Sequence, residues 1–165
     1  NNGVRVKPSI LAGVIDESGK YTPAKPNESV KVLSEQTAIN MRAMMESVVS
    51  TNGTAPSAAI AGYRVAGKTG TAMRFNSGCR CYSGYTASFI GFAPADKPKY
   101  VVSVTIQDPK GMHWGGALAG PVFKKVMGFV LQNQRVQPTV ESKEVFSLTE
   151  ASLNQRSKIT AKSGA

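Results

Sequence analysis

The chain is poor in acidic residues: 10 Asp+Glu stand against 20 Lys+Arg in 165 residues, for a formal net charge of +10. That balance points to an anionic partner, whether nucleic acid, a membrane or wall surface, or a carboxylate-bearing substrate. No run approaches the ~20 consecutive apolar residues that a bilayer-spanning helix needs, which excludes such a helix here. Cys79 and Cys81 are the only two cysteines, too few for a disulfide-stapled mini-protein. There is a single histidine, His113, so a Cys/His metal centre lacks ligands and none is expected. No internal repeat is visible. The opening Asn1-Asn2-Gly3-Val4-Arg5 is neither a signal peptide nor an initiator methionine, so a piece of a longer protein is expected. With 41% hydrophobic residues there is nevertheless material for a packed core, which argues against full disorder or a coiled coil.

The distribution of charge narrows the choice of partner. Basic residues are scattered, with Lys124-Lys125 the only adjacent pair, so there is no phosphate-tracking run and nucleic acid is not expected as a partner. Between Glu46 and Asp96 there is no acid at all, while Arg64, Lys68, Arg74 and Arg80 fall inside that window. The window should be locally electropositive.

Residues 3–33 read as strands and turns, with Gly19 placed for the positive φ of a hairpin. Ser34 is an N-cap candidate with Glu35 in the first turn, and Ala38, Met41, Met45 and Val48 then recur at helical spacing up to Asn52-Gly53. Met41, Met44 and Met45 are expected as core filler. Three strands follow, around Tyr63–Arg74, Tyr85–Ala93 and Tyr100–Ile106. The short link Pro94–Lys99 makes the last two antiparallel, because a parallel crossover needs a longer connection. A loop over Phe75–Gly84 separates the first two. Gly115-Gly116 and Gly120-Pro121 open a last helix, with Pro121 in its first turn. Its apolar stripe is predicted to be Val122, Phe123, Val126, Met127 and Val130, facing the sheet. Residues 1–136 form the folded part, and 137–165 are expected to be a polar, disordered tail. The fold class is therefore α/β (α+β), an antiparallel sheet flanked by helices.

Lys68-Thr69-Gly70-Thr71 carries the chemistry. On a strand, Thr69 and Thr71 share a face while Gly70 removes bulk between them, so a ligand can lie along the backbone. Two hydroxyls, a strand N–H and the Lys68 ammonium suit a carboxylate or an oxyanion. The pattern is not a phosphate-binding P-loop, which requires Gly-x-x-x-x-Gly ahead of Lys-Thr and a helix after it.

Ala66-Gly67-Lys68-Thr69-Gly70-Thr71-Ala72, then Ser88-Phe89-Ile90-Gly91-Phe92-Ala93-Pro94-Ala95-Asp96, then a valine-rich strand and Gly115–Phe123, closely resembles the C-terminal half of the penicillin-binding transpeptidases. Within them the match is to class B, the monofunctional enzymes of cell-wall synthesis, and to the septal type, over roughly Asn1–Leu131. The resemblance implies three signatures: Ser-x-x-Lys bearing the nucleophile, Ser-x-Asn, and Lys-Thr-Gly. Only the last is present. Ser50-Thr51-Asn52 matches Ser-x-Asn literally but reads as a helix stop, and Ser152-Leu153-Asn154 falls in the tail. By resemblance, Lys68 and Thr71 are the catalytic candidates, the latter also through its backbone N–H as an oxyanion donor. Thr69, Gly70 and Thr71 are the substrate-binding candidates. The implied reaction is acyl transfer from D-Ala-D-Ala stem peptides to a serine upstream of Asn1, with β-lactams acylating the same serine and no cofactor. Implied partners are stem peptides, β-lactams, the upstream half of the domain and division proteins, at the outer face of the bacterial plasma membrane. The rival readings are a serine β-lactamase or carboxypeptidase, and a non-catalytic module of the same fold.

Cys79-Arg80-Cys81 lies in the loop beside the site. Spacing of one residue disfavours a bridge without forbidding it, and two thiols or an oxidised pair both stay open. His113-Trp114 is assigned a structural or surface role.

Overall fold

The computed structural model describes residues 1–140; residues 141–165, and with them most of the expected tail, lie outside the described residues. In chain order the elements are β1 (Val4–Val6), β2 (Gly13–Ile15), β3 (Tyr21–Pro23), β4 (Ser29–Lys31), α1 (Glu35–Ser47), β5 (Ala66–Asn76), β6 (Cys81–Ala93), β7 (Tyr100–Gln107) and α2 (Gly115–Asn133). A single 3-10 turn at Pro56–Ala58 precedes β5. All strand pairs are antiparallel: β1 with β4, β2 with β3, and β5-β6-β7 as one meander. The fold class and the meander are thus as expected.

The β2–β3 turn is organised by Asp16, whose Oδ1 accepts the backbone N–H groups of Ser18 and Lys20 at 2.9 and 3.0 Å, and Gly19 takes φ +82°. Asp16 Oδ1 also accepts the Ser18 hydroxyl at 2.6 Å, and that side-chain bond first, with the Lys20 N–H next, holds the Asp16 carboxyl below its ordinary pKa. Helix α1 starts where its cap predicts, with Ser34 Oγ accepting the Thr37 N–H at 3.1 Å. It stops at Ser47, and Ser50 Oγ donates to the Ser47 carbonyl at 2.7 Å, so the Ser50-Thr51-Asn52 segment ends a helix.

The core lies between the sheet and α2. Ala87, Phe89 and Ala93 on β6 are fully buried, as are Ala119, Phe123, Met127 and Leu131 on α2. Phe89 and Phe123 meet edge-on, with ring centroids 4.8 Å apart. Alternation on β7 sends Tyr100, Val102, Val104 and Ile106 towards the same core, and Val101 outward.

Four expectations are corrected here. The buried stripe of α2 is Ala119, Phe123, Met127 and Leu131; Val122 and Val126 are exposed, because apolar residues sit on more than one side of this helix and the sheet selects one. Helix α2 starts at Gly115, so Pro121 is inside it rather than in its first turn; the carbonyl deprived of a donor belongs to exposed Ala117, where water can replace it. The long loop between β5 and β6 is a hairpin, with ladder pairing reaching Asn76 and Cys81. Finally, α1 has no buried residue: Met41 and Met44 are 47% and 57% exposed, and Met41 and Met45 line a cavity of about 340 Å³ with Phe92 and the Asn1–Arg5 segment. Met41 and Met44 are apolar and correctly spaced, but nothing among the described residues closes over them, whereas Met45 is half-buried.

Past α2 the chain folds back. Val136 is buried, Tyr63 donates its hydroxyl to the Val136 carbonyl at 2.6 Å, and the Thr139 N–H reaches the Gly62 carbonyl at 2.9 Å.

Candidate active site

Strand β5 is an edge of the meander among the described residues, and it presents the Lys68–Thr71 segment. Across the ladder Thr69 faces Phe89 and Thr71 faces Ala87, which puts the two threonines on the α2 side; Lys68 and Gly70 take the other. This alters the expected role of Gly70. A Cβ there would come within 2.5 Å of Ser88 Oγ, so the missing side chain makes room for a neighbour on β6, on the face away from the two hydroxyls.

Thr71 is where the strand meets the last helix. The backbone N–H of Gly115, at the start of α2, donates to Thr71 Oγ1 at 3.1 Å. Trp114, the residue in the cap position, supplies no side-chain bond, so Thr71 does the capping from across the fold. With its oxygen accepting from Gly115, the Thr71 hydroxyl keeps its own hydrogen for another acceptor. Glycine is required at position 115, since a Cβ would approach the Ser88 and Gly70 carbonyl oxygens to 2.3 and 2.4 Å.

Around Thr69 the hydrogen bonds converge: Lys68 Nζ reaches Thr69 Oγ1 at 3.2 Å and its carbonyl at 2.9 Å, and Thr54 Oγ1 lies 3.3 Å from Thr69 Oγ1. Lys68 is exposed and pairs with no carboxylate among the described residues. An unneutralised ammonium, two hydroxyls and the positive end of α2 therefore gather on one strand edge. Chemically that set binds a carboxylate and stabilises developing negative charge.

The wider window is less positive than its composition predicts. Arg64 makes a two-pronged bond to Glu46 at 2.8 and 2.9 Å, which holds its guanidinium above the ordinary pKa, and Arg74 lies 3.7 Å from Asp108. Asp108 also accepts from Lys110 at 2.7 Å; that bond, more than the nearby Arg74 charge, depresses its pKa. Acids distant in sequence thus fold back onto two of the four cations and leave Lys68 and Arg80. Cys79 and Cys81 are joined in a disulfide with Cα atoms 5.2 Å apart, so the oxidised alternative holds and the geometric objection to it fails: the tight hairpin brings the two within bridging distance. No cluster of three His, Cys, Asp or Glu side chains suited to a metal exists among the described residues.

The feature that the sequence left with only a structural or surface role is aromatic. His113 stacks on Tyr85 at a centroid distance of 4.0 Å and contacts Trp114 at 4.9 Å, and Trp114 is 61% exposed directly before Gly115. An aromatic cluster thus leads into the start of α2, whose Gly115 N–H is held by Thr71. The available signal was the aromatic-aromatic-Gly-Gly run, whose glycines mark a close backbone approach.

Comparison with known proteins covers most of the chain. The family model described as the penicillin binding protein transpeptidase domain matches residues 1–128. Penicillin-binding protein PbpB of Mycolicibacterium smegmatis is 39% identical over 146 residues, which cover 82% of this chain and 22% of that protein. Peptidoglycan D,D-transpeptidase FtsI of Escherichia coli is 37% identical over 146 residues, covering 82% of this chain and 25% of that one. The crystal structure of penicillin binding protein 3 from Mycobacterium tuberculosis, complexed with ampicillin, superposes with a TM-score of 0.75 at 34% identity, over 88% of this chain and 34% of that one. The chain spans about a quarter of the length of the curated relatives it matches.

Proposed function

Since the chain belongs to the penicillin-binding protein transpeptidase domain family, we propose that it supplies the Lys-Thr-Gly side of a D,D-transpeptidase site and that a segment upstream of Asn1 supplies the nucleophilic serine. The observation that carries this is the junction at Thr71, where a hydroxyl held by the Gly115 N–H shares a strand edge with a Lys68 ammonium that meets no carboxylate among the described residues. In the proposed reaction the substrate is a stem peptide ending in D-Ala-D-Ala. Its terminal carboxylate accepts hydrogen bonds from the Thr69 and Thr71 hydroxyls, which fixes the scissile carbonyl over the serine. Serine attack forms a tetrahedral oxyanion, and the backbone N–H of Thr71 is one donor to it. Lys68 keeps the site positive throughout and hydrogen-bonds the serine of the second signature. D-Ala then leaves, and an amine of a neighbouring stem takes the acyl group. β-Lactams enter by the same carboxylate contacts and remain bound as acyl adducts.

In this proposal residues 1–136 are the C-terminal portion of the domain, and the open faces of α1 and the meander receive the upstream half. The place of action is the outer face of the bacterial plasma membrane, in septal wall synthesis with division proteins as partners; the Cys79–Cys81 bond supports an oxidising compartment. No helix of the described residues is long and apolar enough to cross a membrane.

Fluorescent penicillin tests the division of labour. A protein extended upstream through the serine-bearing segment should be labelled covalently, the chain alone should not, and Lys68→Ala in the extended protein should slow labelling by about 10²-fold. Labelling of the chain alone would overturn the assignment of the nucleophile.

A further inference from the structure

We propose that Cys79–Cys81 is a thiol–disulfide exchange site for a dithiol oxidoreductase of Cys-x-x-Cys chemistry, and that its reduction loosens the hairpin bearing Lys68–Thr71. The exchange stands on its own; its effect on activity rests on the acyl-transfer reading above. Both cysteines are exposed at the turn between β5 and β6, and the chain contains no others. A bridge across one intervening residue closes a very small loop, and the stabilisation a disulfide draws from the unfolded chain shrinks with loop length. A structural staple would be placed elsewhere. The surroundings suit exchange instead: Arg80 is the residue between the two cysteines in the chain, is exposed, holds φ +53°, and makes no ion pair among the described residues. A neighbouring guanidinium lowers the free energy of a departing thiolate.

The chemistry balances without any outside oxidant. A thiolate of the partner attacks one sulfur, the Cys79–Cys81 bond breaks, and the other cysteine departs as a thiolate that then takes a proton. The partner's second thiol attacks the mixed disulfide and frees the first cysteine. Two electrons and two protons pass to this pair, and the partner ends as a disulfide.

The mechanical consequence follows from the ladder. Pairing is continuous from Ala66↔Phe92 to Met73↔Tyr85, then shifts register before Phe75↔Tyr82 and Asn76↔Cys81. Beyond the irregularity the tip is held by those two pairs, the edge-on contact of Phe75 with Tyr82 at 5.8 Å, and the disulfide. Opening the bridge lets this short ladder fray back to Met73, two positions from Thr71. The Thr71–Gly115 bond then loses support on one side.

The test uses the full-length protein that carries this sequence. A thioredoxin-fold oxidoreductase with its resolving cysteine replaced by serine is incubated with it, and adducts are mapped by peptide mass. A mixed disulfide at Cys79 or Cys81 is expected, and mild dithiothreitol followed by iodoacetamide should add alkyl groups at both cysteines, with none added before reduction. Penicillin acylation should fall about tenfold on reduction and recover on reoxidation. The protein with Cys79→Ser and Cys81→Ser should match the reduced form and ignore dithiothreitol. Absence of the mixed disulfide, or resistance of the bridge to mild dithiothreitol, overturns the exchange site. Exchange with unchanged acylation overturns the coupling. Loss of acylation in every redox state, with the adduct still formed, counts against the acyl-transfer reading alone.

Discussion

At the scale of single residues, Thr71 has two jobs that one substitution can separate from folding in general. Its oxygen satisfies a part-buried helix-start N–H, and its hydrogen is left for a ligand. Thr71→Val keeps the shape and deletes both. The orphaned Gly115 N–H should cost about 1–3 kcal/mol, read as a lower thermal midpoint. Penicillin acylation of the extended protein should fall about 10²-fold, because the carboxylate loses a donor and the strand its tie to α2. Thr71→Ser, with the hydroxyl restored, should return most of both. If Thr71→Val lowers the midpoint and leaves acylation untouched, Thr71 is a structural cap and the substrate contact is wrong. The identity of this residue was legible because Lys-Thr-Gly-Thr is a compact local pattern. Its partner was not, since Gly115 contributes a backbone N–H that no side chain advertises. Gly70 was legible as a place where bulk is excluded, though periodicity alone did not say that Ser88 was the neighbour requiring it.

Among elements, the meander was legible and the details of α2 were not, and the physics explains both. Strands such as Tyr100–Gln107 are dense in β-branched and aromatic residues with turn-rich links, so local propensity and tertiary pairing agree. Helix α2 instead begins in two glycines, which have no hydrophobic period, and carries apolar residues on both its covered and its exposed sides. Only contact with the sheet and the Pro56–Ala58 turn selects the Phe123 stripe over the Val122 one. Nor could local pattern bring Glu46 to Arg64 or Asp108 to Arg74, because those pairs depend on how elements meet. The start of α2 is then the informative place to disturb. Gly115→Ala puts a methyl group against two strand carbonyls, so the helix start must retreat from β5. Overpacking of this kind should cost about 1–3 kcal/mol. Acylation should fall about tenfold or more as Thr71 loses its anchor. Gly128→Ala, on the same helix with open space at its Cβ, is the control and should leave acylation unchanged. Equal effects of the two would mean that helix stability in general, and not the junction, sets the rate.

For the whole molecule, one side of the sheet is finished and the other is not. Phe123, Met127 and Leu131 close over β6, whereas α1 leaves Met41 and Met44 exposed beside an open cavity and Val101 projects from the outer face of β7. Helix α1 has a sound cap and a correct apolar period, so its bare face is not the mark of a badly formed helix. The proposal that an upstream segment completes the domain gives those methionines a definite fate. Thioether oxidation by dilute peroxide follows solvent access, and peptide mass reads it at each methionine separately. In the chain alone, Met41 and Met44 should oxidise rapidly while fully buried Met127 is slow. In the protein extended upstream, Met41 and Met44 should slow by about tenfold or more as burial removes them from water, with Met127 unchanged as the internal standard. Equal rates for Met41 and Met44 in the two proteins would mean that α1 faces solvent in both, and that the serine-bearing half does not dock on this face.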